Sequence, residues 1–263
     1  MQIEARELFI SLAMWLLHGA FTLFVILSSI WLCLALWYQQ PFGNIFSRVI
    51  IAIWVLFALS LIGFYINGHI VSRRTDILLY GFVFACALLW YFSLEARQDR
   101  DWNPEVAKQL HYEKQGDMVT LHNVRNFNWR SNEDYDIHWE SRTVDLNKIT
   151  GLNVIASYWM GPKIAHTLVS FDFADQEPLV FSIEIRKEKN EEFSAFGGFF
   201  RKYELSLIAS DEKDLIYTRS NIRNERVYLF PVKMPVAERK ALFIEYLNKA
   251  DELHDEAKWY NTL

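Results

Sequence analysis

Three long apolar segments occupy the first 94 residues and limit more than any other feature what the chain can fold into. They run over residues 8–38, 49–66 and 77–94, and only seven charged residues precede Glu95. Each segment reaches the ~17 residues that an α-helix needs to cross a bilayer. The first is too long for a cleaved signal peptide, and two more follow it. The sequence therefore predicts three transmembrane helices in residues 1–94, followed by a domain outside the membrane.

Positive charge near the ends of these segments predicts the orientation. Three spans place the N-terminus and the Arg73-Arg74 loop on one side of the membrane, and the Gln39 loop and the following domain on the other. Arg6, the α-amine, Arg73 and Arg74 outnumber Arg48, Arg97 and Arg100 on the other side by one positive charge, a small margin that favours the cytoplasm for the first side. We therefore expect the soluble domain to be extracytoplasmic.

Few polar side chains interrupt the three segments. His18 lies in the first segment and could be a ligand or a proton-relay group. The other segments offer no partner of similar kind, so we favour a histidine that forms a hydrogen bond between helices. Cys33 and Cys86 also fall inside apolar segments, where we interpret them as packing residues rather than reactive thiols.

The chain from Glu95 onward has the composition of a soluble domain. It contains 23 basic and 29 acidic residues, a formal net charge of −6. This domain lacks the basic excess that neutralises phosphates, so we expect no nucleic-acid partner. It also contains no cysteine, which excludes an internal disulfide and a thiol nucleophile of its own.

Local patterns predict an α+β fold with a mainly antiparallel sheet and packed helices. Residues 95–117 are predicted to be a connector with a short helix near Pro104, and residues 118–263 to be the domain itself. Alternation of apolar and polar residues predicts strands at 118–129, 135–144, 152–158, 164–173, 179–186, 203–209 and 226–232. A five-residue loop joins strands 164–173 and 179–186, as in a hairpin. After Pro235, helical spacing of apolar residues predicts a helix with one face on the sheet.

The segment Phe193–Phe200 has two interpretations. It contains four phenylalanines and two adjacent glycines. Exposed, it would be a flap whose apolar patch contacts a membrane or a ligand. Otherwise it is a loop folded over the core, and the sequence does not decide between the two.

The predicted hairpin carries the residues best placed for chemistry. His166 begins one strand, and Ser182 and Glu184 share one face of the next by the two-residue period. A carboxylate could then reach the imidazole across the hairpin and hold one ring nitrogen, leaving the other to take a proton from a nucleophile. By spacing alone, a structural histidine beside a surface carboxylate remains the simpler interpretation.

Other kinds of site are less well supported. The histidines His111, His122, His138 and His254 are far apart in the sequence and form no His-x-x-x-His pair, so no metal and no cofactor are predicted. Glycine-rich phosphate loops and the Gly-x-Ser-x-Gly motif are missing as well. The acidic run Glu133-Asp134-Asp136 is interpreted as a solvated turn rather than a cation site.

Several stretches between Asn123 and the C-terminus resemble the family of the periplasmic N-terminal domain of Lnb, an alternative bacterial lipoprotein N-acyltransferase. They are Asn123–Phe127, Ile164–Leu168, Phe181–Glu188, Tyr203–Leu205, Asp214–Ile216 and Trp259–Leu263. That family is similar to circularly permuted papain-like enzymes of the NlpC type. The resemblance implies a multi-pass protein of the bacterial inner membrane with its soluble domain in the periplasm. It also implies His166 as catalytic base, with Glu184 or Ser182 as the polar residue beside it.

The sequence departs from the family pattern at the nucleophile. The family's cysteine lies in an Asn-Cys-Thr motif just after the stretch that matches Tyr260–Leu263, and the given sequence does not reach it. We expect a form that lacks its nucleophile helix and is inactive as given, because Trp259–Leu263 matches sequence that leads into the nucleophile.

The resulting functional hypothesis is a membrane-anchored domain of a cysteine-dependent acyltransferase acting on lipid or lipoprotein. The alternatives are a non-catalytic binding domain on the same fold, and a cysteine peptidase or amidase acting on cell-wall peptides. Fold alone does not choose among these. The expected partners are membrane lipid together with a lipoprotein or a cell-wall peptide.

Overall fold

The computed structural model describes residues 2–68, 71–189 and 191–262, without the side chains of residues 2–8. Two residues used above, the side chain of Arg6 and Leu263, lie outside this part. The chain divides into two compact units. Unit 1 comprises Met1–Glu95 and Phe199–Lys202, and unit 2 comprises Ala96–Gly198 and Tyr203–Leu263.

Three helices build unit 1: α1 (Gln2–Gln39), α2 (Asn44–Asn67) and α3 (Arg73–Phe92). In each, a stretch is long and apolar enough to cross a membrane, namely Phe9–Gln39, Asn44–Asn67 and Arg73–Phe92. The three apolar segments are thus confirmed as helices. The second and third begin earlier than predicted, because their polar first turns are also helical. At the start of α3, the Ser72 side chain accepts a hydrogen bond from the Thr75 backbone, which caps the helix.

One polar cluster inside unit 1 joins all three helices. Nδ1 of His18 in α1 lies 2.8 Å from the Tyr65 hydroxyl in α2, and its Nε2 lies 3.3 Å from the Arg73 guanidinium in α3. The interpretation of His18 as an interhelical hydrogen-bonding residue is confirmed. Cys33 packs against the core between the helices, whereas Cys86 is exposed on α3. The packing interpretation therefore holds for Cys33 alone.

Unit 1 also includes the end of the phenylalanine-rich segment. Gln39 Nε2 donates to the Phe200 carbonyl at 2.7 Å, and the rings of Tyr38 and Phe200 stack with centroids 5.4 Å apart. Arg201 donates to the Tyr91 carbonyl at 3.1 Å. This end of the segment is therefore a packed turn on the unit 1 helices.

A large mixed sheet forms unit 2. Its strands are β1 (His111–Gln115), β2 (Met118–Arg125), β5 (Trp139–Asp145), β6 (Ile149–Tyr158), β7 (Ala165–Phe173), β8 (Leu179–Arg186), β9 (Glu204–Ser210) and β10 (Arg226–Pro231). The order is β1-β2-β9-β8-β7-β6-β10, with β5 paired to β2. All these pairs are antiparallel except β2 with β9. A separate two-stranded ribbon joins β3 (Asn128–Trp129) and β4 (Tyr135–Asp136).

Helices are few in unit 2. They are α4 (Glu212–Tyr217), continued by a π-helical turn over Thr218–Ile222, and α5 (Val236–Asp255). Short 3₁₀ turns occur at Pro104–Val106 and Leu146–Lys148, and a third, Gly197–Phe200, contains the boundary between the units. Together with the three N-terminal helices, this arrangement confirms the α+β fold class.

Three expected elements differ in extent from the structure. The expected connector 95–117 contains β1, which pairs along β2 at the edge of the sheet. The expected strand 118–129 is interrupted after Arg125, because the Phe127 amide donates to the Asp214 carboxylate instead of to a neighbouring strand. The expected strand 135–144 is divided between β4 and β5.

The two faces of the sheet have different roles. On one face, Phe243 and Leu247 of α5 are fully buried, and the Phe243 ring meets Phe171 edge to face at 5.0 Å. Burying such a side chain contributes ~1.5–3 kcal/mol. Because side chains alternate along a strand, Leu168 and Val180 lie on the opposite face, where Leu215 of α4 covers them. His166, Ser182 and Glu184 share this second face by the same alternation.

Candidate functional site

The hairpin β7–β8 brings the three predicted site residues together. Leu168 pairs with Ser182, and continuing this antiparallel register by two residues places Glu184 opposite His166. The predicted hairpin is therefore confirmed, with the side chains of all three residues on one face. Their catalytic roles remain predictions.

A chain of hydrogen bonds links the three side chains. The Ser182 hydroxyl donates to Glu184 Oε1 at 2.6 Å and lies 2.7 Å from His166 Nε2. The same carboxylate oxygen is 3.5 Å from His166 Nε2. Since the single hydroxyl proton goes to Glu184, Ser182 accepts from Nε2–H, which assigns the neutral imidazole its tautomer. Nδ1 is then the nitrogen that can accept a proton.

Glu184 is held in its ionised form. Burial by itself would raise the pKa of the Glu184 carboxyl, but Arg219, His166 and Ser182 outweigh burial and hold that pKa well below its usual range. Arg219 donates to Glu184 Oε1 at 2.6 Å, and its side chain is only 6% exposed. The polar group beside His166 is therefore a carboxylate at neutral pH.

His166 and Glu184 line a cavity of about 440 Å³ within unit 2. Its wall also contains Trp159 and Phe193, whose rings meet edge to face at 5.5 Å and are both substantially exposed. A histidine with one nitrogen fixed, in a partly apolar cavity, suits general base catalysis on a substrate with an apolar part. Phe193 thus belongs to the cavity wall, unlike Phe200 at the other end of its segment.

The last described residues contribute to the same cavity. The Leu205 amide donates to the Lys258 carbonyl at 2.7 Å, and the Tyr260 amide donates to the Tyr203 carbonyl at 2.9 Å. Tyr260 and Thr262 then line the cavity. Burial raises the pKa of the Tyr260 hydroxyl, and the nearby Glu184 carboxylate adds to the increase. The stretch predicted to lead toward a nucleophile therefore lines the same cavity as His166.

A buried ion pair supports the far wall of the cavity. The Asp214 carboxylate is fully buried and accepts hydrogen bonds from Arg125 at 2.8 and 2.9 Å, from the Phe127 amide at 2.9 Å and from Trp129 Nε1 at 2.7 Å. Arg125 and Trp129 both line the cavity. Asp214 therefore fixes the orientation of two wall residues without contacting the space itself.

Three histidines that are distant in the sequence meet in the fold. The ring of His111 in β1 stacks on His122 of β2 at 4.7 Å and lies 4.8 Å from His254 of α5. The positions of these histidines in the fold therefore could not be predicted from their distances along the chain. Within residues 2–68, 71–189 and 191–262, no three His, Cys, Asp or Glu side chains are arranged to hold a metal ion.

The acidic run before β5 has a partner of its own. Arg130 donates to Asp134 at 2.8 Å and to Asp136 at 2.8 Å, and all three side chains are exposed. This agrees with its interpretation as a solvated turn.

Arg219 is the site residue that sequence reasoning missed. It lies 35 residues after Glu184, in the π-helical turn that continues α4. Such turns are frequent at functional sites, but no local pattern in the sequence announces this one. Only the packing of that turn on β8 reveals the contact.

Comparison with known proteins identifies part of the chain. Residues 135–263 match the family model described as the Lnb N-terminal periplasmic domain. No curated protein and no solved structure matches the chain significantly.

Proposed function

We propose that residues 135–263, which match the family model of the Lnb N-terminal periplasmic domain, form the base-bearing part of a cysteine-dependent acyltransferase acting on lipid or lipoprotein. In this proposal, the three apolar helices anchor the domain in the bacterial inner membrane. The fold is proposed to be a circularly permuted papain-like one, in which the histidine strand precedes the cysteine helix.

The observation that carries the proposal is the pair of contacts that Ser182 and Glu184 make with His166 Nε2 at the cavity, from which we assign the tautomer. Ser182 and Glu184 hold Nε2, so Nδ1 can take the proton of a thiol. The thiolate would attack the carbonyl carbon of an acyl ester and form a thioester as the ester C–O bond breaks, and His166 would return the proton to the leaving alkoxide. The amine of a lipoprotein would then attack the thioester, giving an amide and regenerating the thiol. Residues 95–263 contain no cysteine, so another segment has to supply the thiol.

Two features favour an acyl substrate over a cell-wall peptide. The cavity wall includes exposed aromatic rings, and three apolar helices keep the domain at a membrane, where acyl donors are abundant. A second candidate is a non-catalytic binding domain that uses the same cavity. The missing thiol in residues 95–263 is the specific observation in its favour.

The test compares two lengths of the protein in lipid. The 263-residue chain and a chain extended through the family's Asn-Cys-Thr motif are reconstituted with a lyso-lipoprotein acceptor, and N-acylation is followed by mass spectrometry. We expect transfer by the extended chain alone, lost in His166→Ala and in Cys→Ala of the extension. His138→Ala, at an exposed histidine outside the cavity lining, is the matched control and should retain transfer. Equal activity of both lengths, or full activity of His166→Ala, would rule out this mechanism.

A further inference from the structure

We propose that Arg219 is a positioning residue that bridges two carboxylates on either side of His166 and thereby sets the charge that His166 faces. The proposal rests on the proposed function in one respect, that His166 is the group that takes the proton. It adds a role for three residues that the family match does not assign: Arg219, Glu225 and Ser157.

The first side of the bridge is the hydrogen-bonded chain of β8. Arg219 contacts the same Glu184 oxygen, Oε1, that receives the Ser182 hydroxyl proton. A carboxylate oxygen has lone pairs for both donors. Arg219 and Ser182 together therefore fix Glu184 beside the imidazole.

The second side reaches His166 from the opposite neighbouring strand. Ser157 of β6 pairs with His166 in the β6–β7 register, and its hydroxyl donates to Glu225 Oε2. Arg219 lies 3.5 Å from the same Glu225 oxygen. The Glu225 amide also donates to the Arg219 carbonyl at 2.9 Å, which holds the two residues together through the backbone. The guanidinium thus connects β8 with the segment leading into β10.

The charges around His166 do not cancel within this bridge. Glu184 and Glu225 carry two negative charges and Arg219 one positive charge, so the bridge as a whole carries −1. The side chains of Arg219 and Glu225 are 6% and 9% exposed, which limits screening by water. A net negative charge at this range favours the imidazolium that forms when His166 accepts a proton. Without Arg219 the charge would be −2, and His166 would stay protonated to higher pH.

Other charged groups that line the cavity are already balanced or exposed. Arg125 is paired with Asp214, and Lys187 lies 4.0 Å from Glu105. Arg223 is exposed and donates to Asn132 at 3.4 Å. Among the charged residues lining the cavity, Glu184 is the one with a direct contact to His166, so the bridge dominates its surroundings.

An arginine suits this position for geometric reasons. Its planar guanidinium directs two N–H groups toward two acceptors and stays charged when buried, whereas a lysine offers a single point of charge. The Arg219 Nε is buried and has no hydrogen-bond partner in the described part of the chain. The interactions that matter therefore involve the two terminal nitrogens, one for each carboxylate.

The test measures how the reactivity of His166 depends on pH in the full-length protein in lipid nanodiscs. Diethyl pyrocarbonate acylates neutral imidazole, and peptide mass spectrometry reads each histidine separately. We expect Arg219→Gln to raise the midpoint of the His166 profile by about one pH unit. Glu225→Gln should lower the midpoint, although Glu225 makes no direct contact with His166. Arg219→Lys, which keeps the charge, should stay near the wild-type midpoint.

Exposed His138 is the internal control, and its profile should be the same in all four proteins. If Arg219→Gln does not fold, the downward shift in Glu225→Gln still decides the question. Unchanged midpoints, or shifts of the same sign in Arg219→Gln and Glu225→Gln, would overturn the proposal. The reagent needs neither a thiol nor an acyl acceptor. Opposite shifts without acyl transfer by the extended chain would therefore refute the proposed function and leave the role of Arg219 intact.

Discussion

Single residues determine the shape of the cavity through buried charge. Two arginines, Arg125 and Arg219, are 5% exposed and face carboxylates, but their surroundings differ. Arg125 and Asp214 make a forked pair whose remaining acceptor capacity is used by Phe127 and Trp129. A buried pair of this kind adds little net stability over an apolar replacement, yet removing one partner leaves an uncompensated charge.

We therefore expect Asp214→Ala to lower the free energy of unfolding of the soluble domain by about 3–5 kcal/mol. The change strands the Arg125 guanidinium and two buried N–H donors. The measurement is denaturant unfolding of the full chain in detergent, followed by tryptophan fluorescence. Asp134→Ala is the matched control, because Asp134 makes a similar forked pair with Arg130 on the surface. Comparable losses in both variants would contradict the role of burial.

At the scale of elements, β1, β2 and α5 meet at three histidines. His111 stacks between His122 and His254, and the Tyr112 amide donates to Asp251 of α5 at 3.2 Å. Burial lowers the pKa of the His111 imidazole below its ordinary value of 6.5, and the neighbouring His254 and His122 lower it further. Three imidazoles in contact are compatible with the fold when neutral, since imidazolium ions at this separation repel.

This cluster of three histidines predicts that the folded protein loses stability in acid. A base with a lowered pKa binds fewer protons in the folded state than in the unfolded chain. The stability that it contributes is therefore complete above about pH 6.5 and is lost as the pH falls toward the lowered pKa. We expect the thermal unfolding temperature to fall below pH 6.5, and to fall less steeply in His111→Gln.

The comparison is made by differential scanning fluorimetry between pH 8 and pH 5. His138→Gln serves as the control, because His138 is exposed on the segment before β5 and should leave the pH dependence unchanged. Parallel curves for wild type and His111→Gln would show that the stacked histidines do not couple protonation to folding.

At the scale of the whole molecule, the chain combines a three-helix apolar unit with a region that matches the model of a periplasmic domain family. Residues 9–92 include three helices that are long and apolar enough to span a membrane, and residues 135–263 match the Lnb N-terminal periplasmic domain. Three membrane crossings would place the N-terminus and the soluble domain on opposite sides. The loop with Arg73 and Arg74 would then lie on the same side as the N-terminus. The positive-inside rule favours the cytoplasm for that side.

We therefore expect alkaline phosphatase fused after the last residue to be active, since this enzyme needs export from the cytoplasm. A fluorescent protein that matures only in the cytoplasm should stay dark at the same position. The paired control fuses each reporter after Gly68, one span earlier, where the two results should exchange. Fluorescence at the C-terminal position would reverse the topology and contradict a periplasmic cavity.

The sequence by itself determined the features that depend on neighbours along the chain. Apolar length predicted three helices, and the two-residue period of a hairpin placed His166 on one face with Ser182 and Glu184. Helical spacing predicted that α5 packs on the sheet. In each case the pattern that carries the prediction lies within one element or in two elements joined by a short loop, so it can be read from local geometry.

Only the tertiary structure decided which distant residues complete these features. Arg219 reaches Glu184 from 35 positions away, Asp214 reaches Arg125 across 89, and His254 meets His111 through the packing of α5 on β1. No periodicity encodes such contacts, because they depend on the order of strands in the sheet and on how each helix crosses it. Burial makes the contacts of the charged residues important for stability, because a charge that is removed from water needs a partner. The fold, and not the local sequence, supplies that partner.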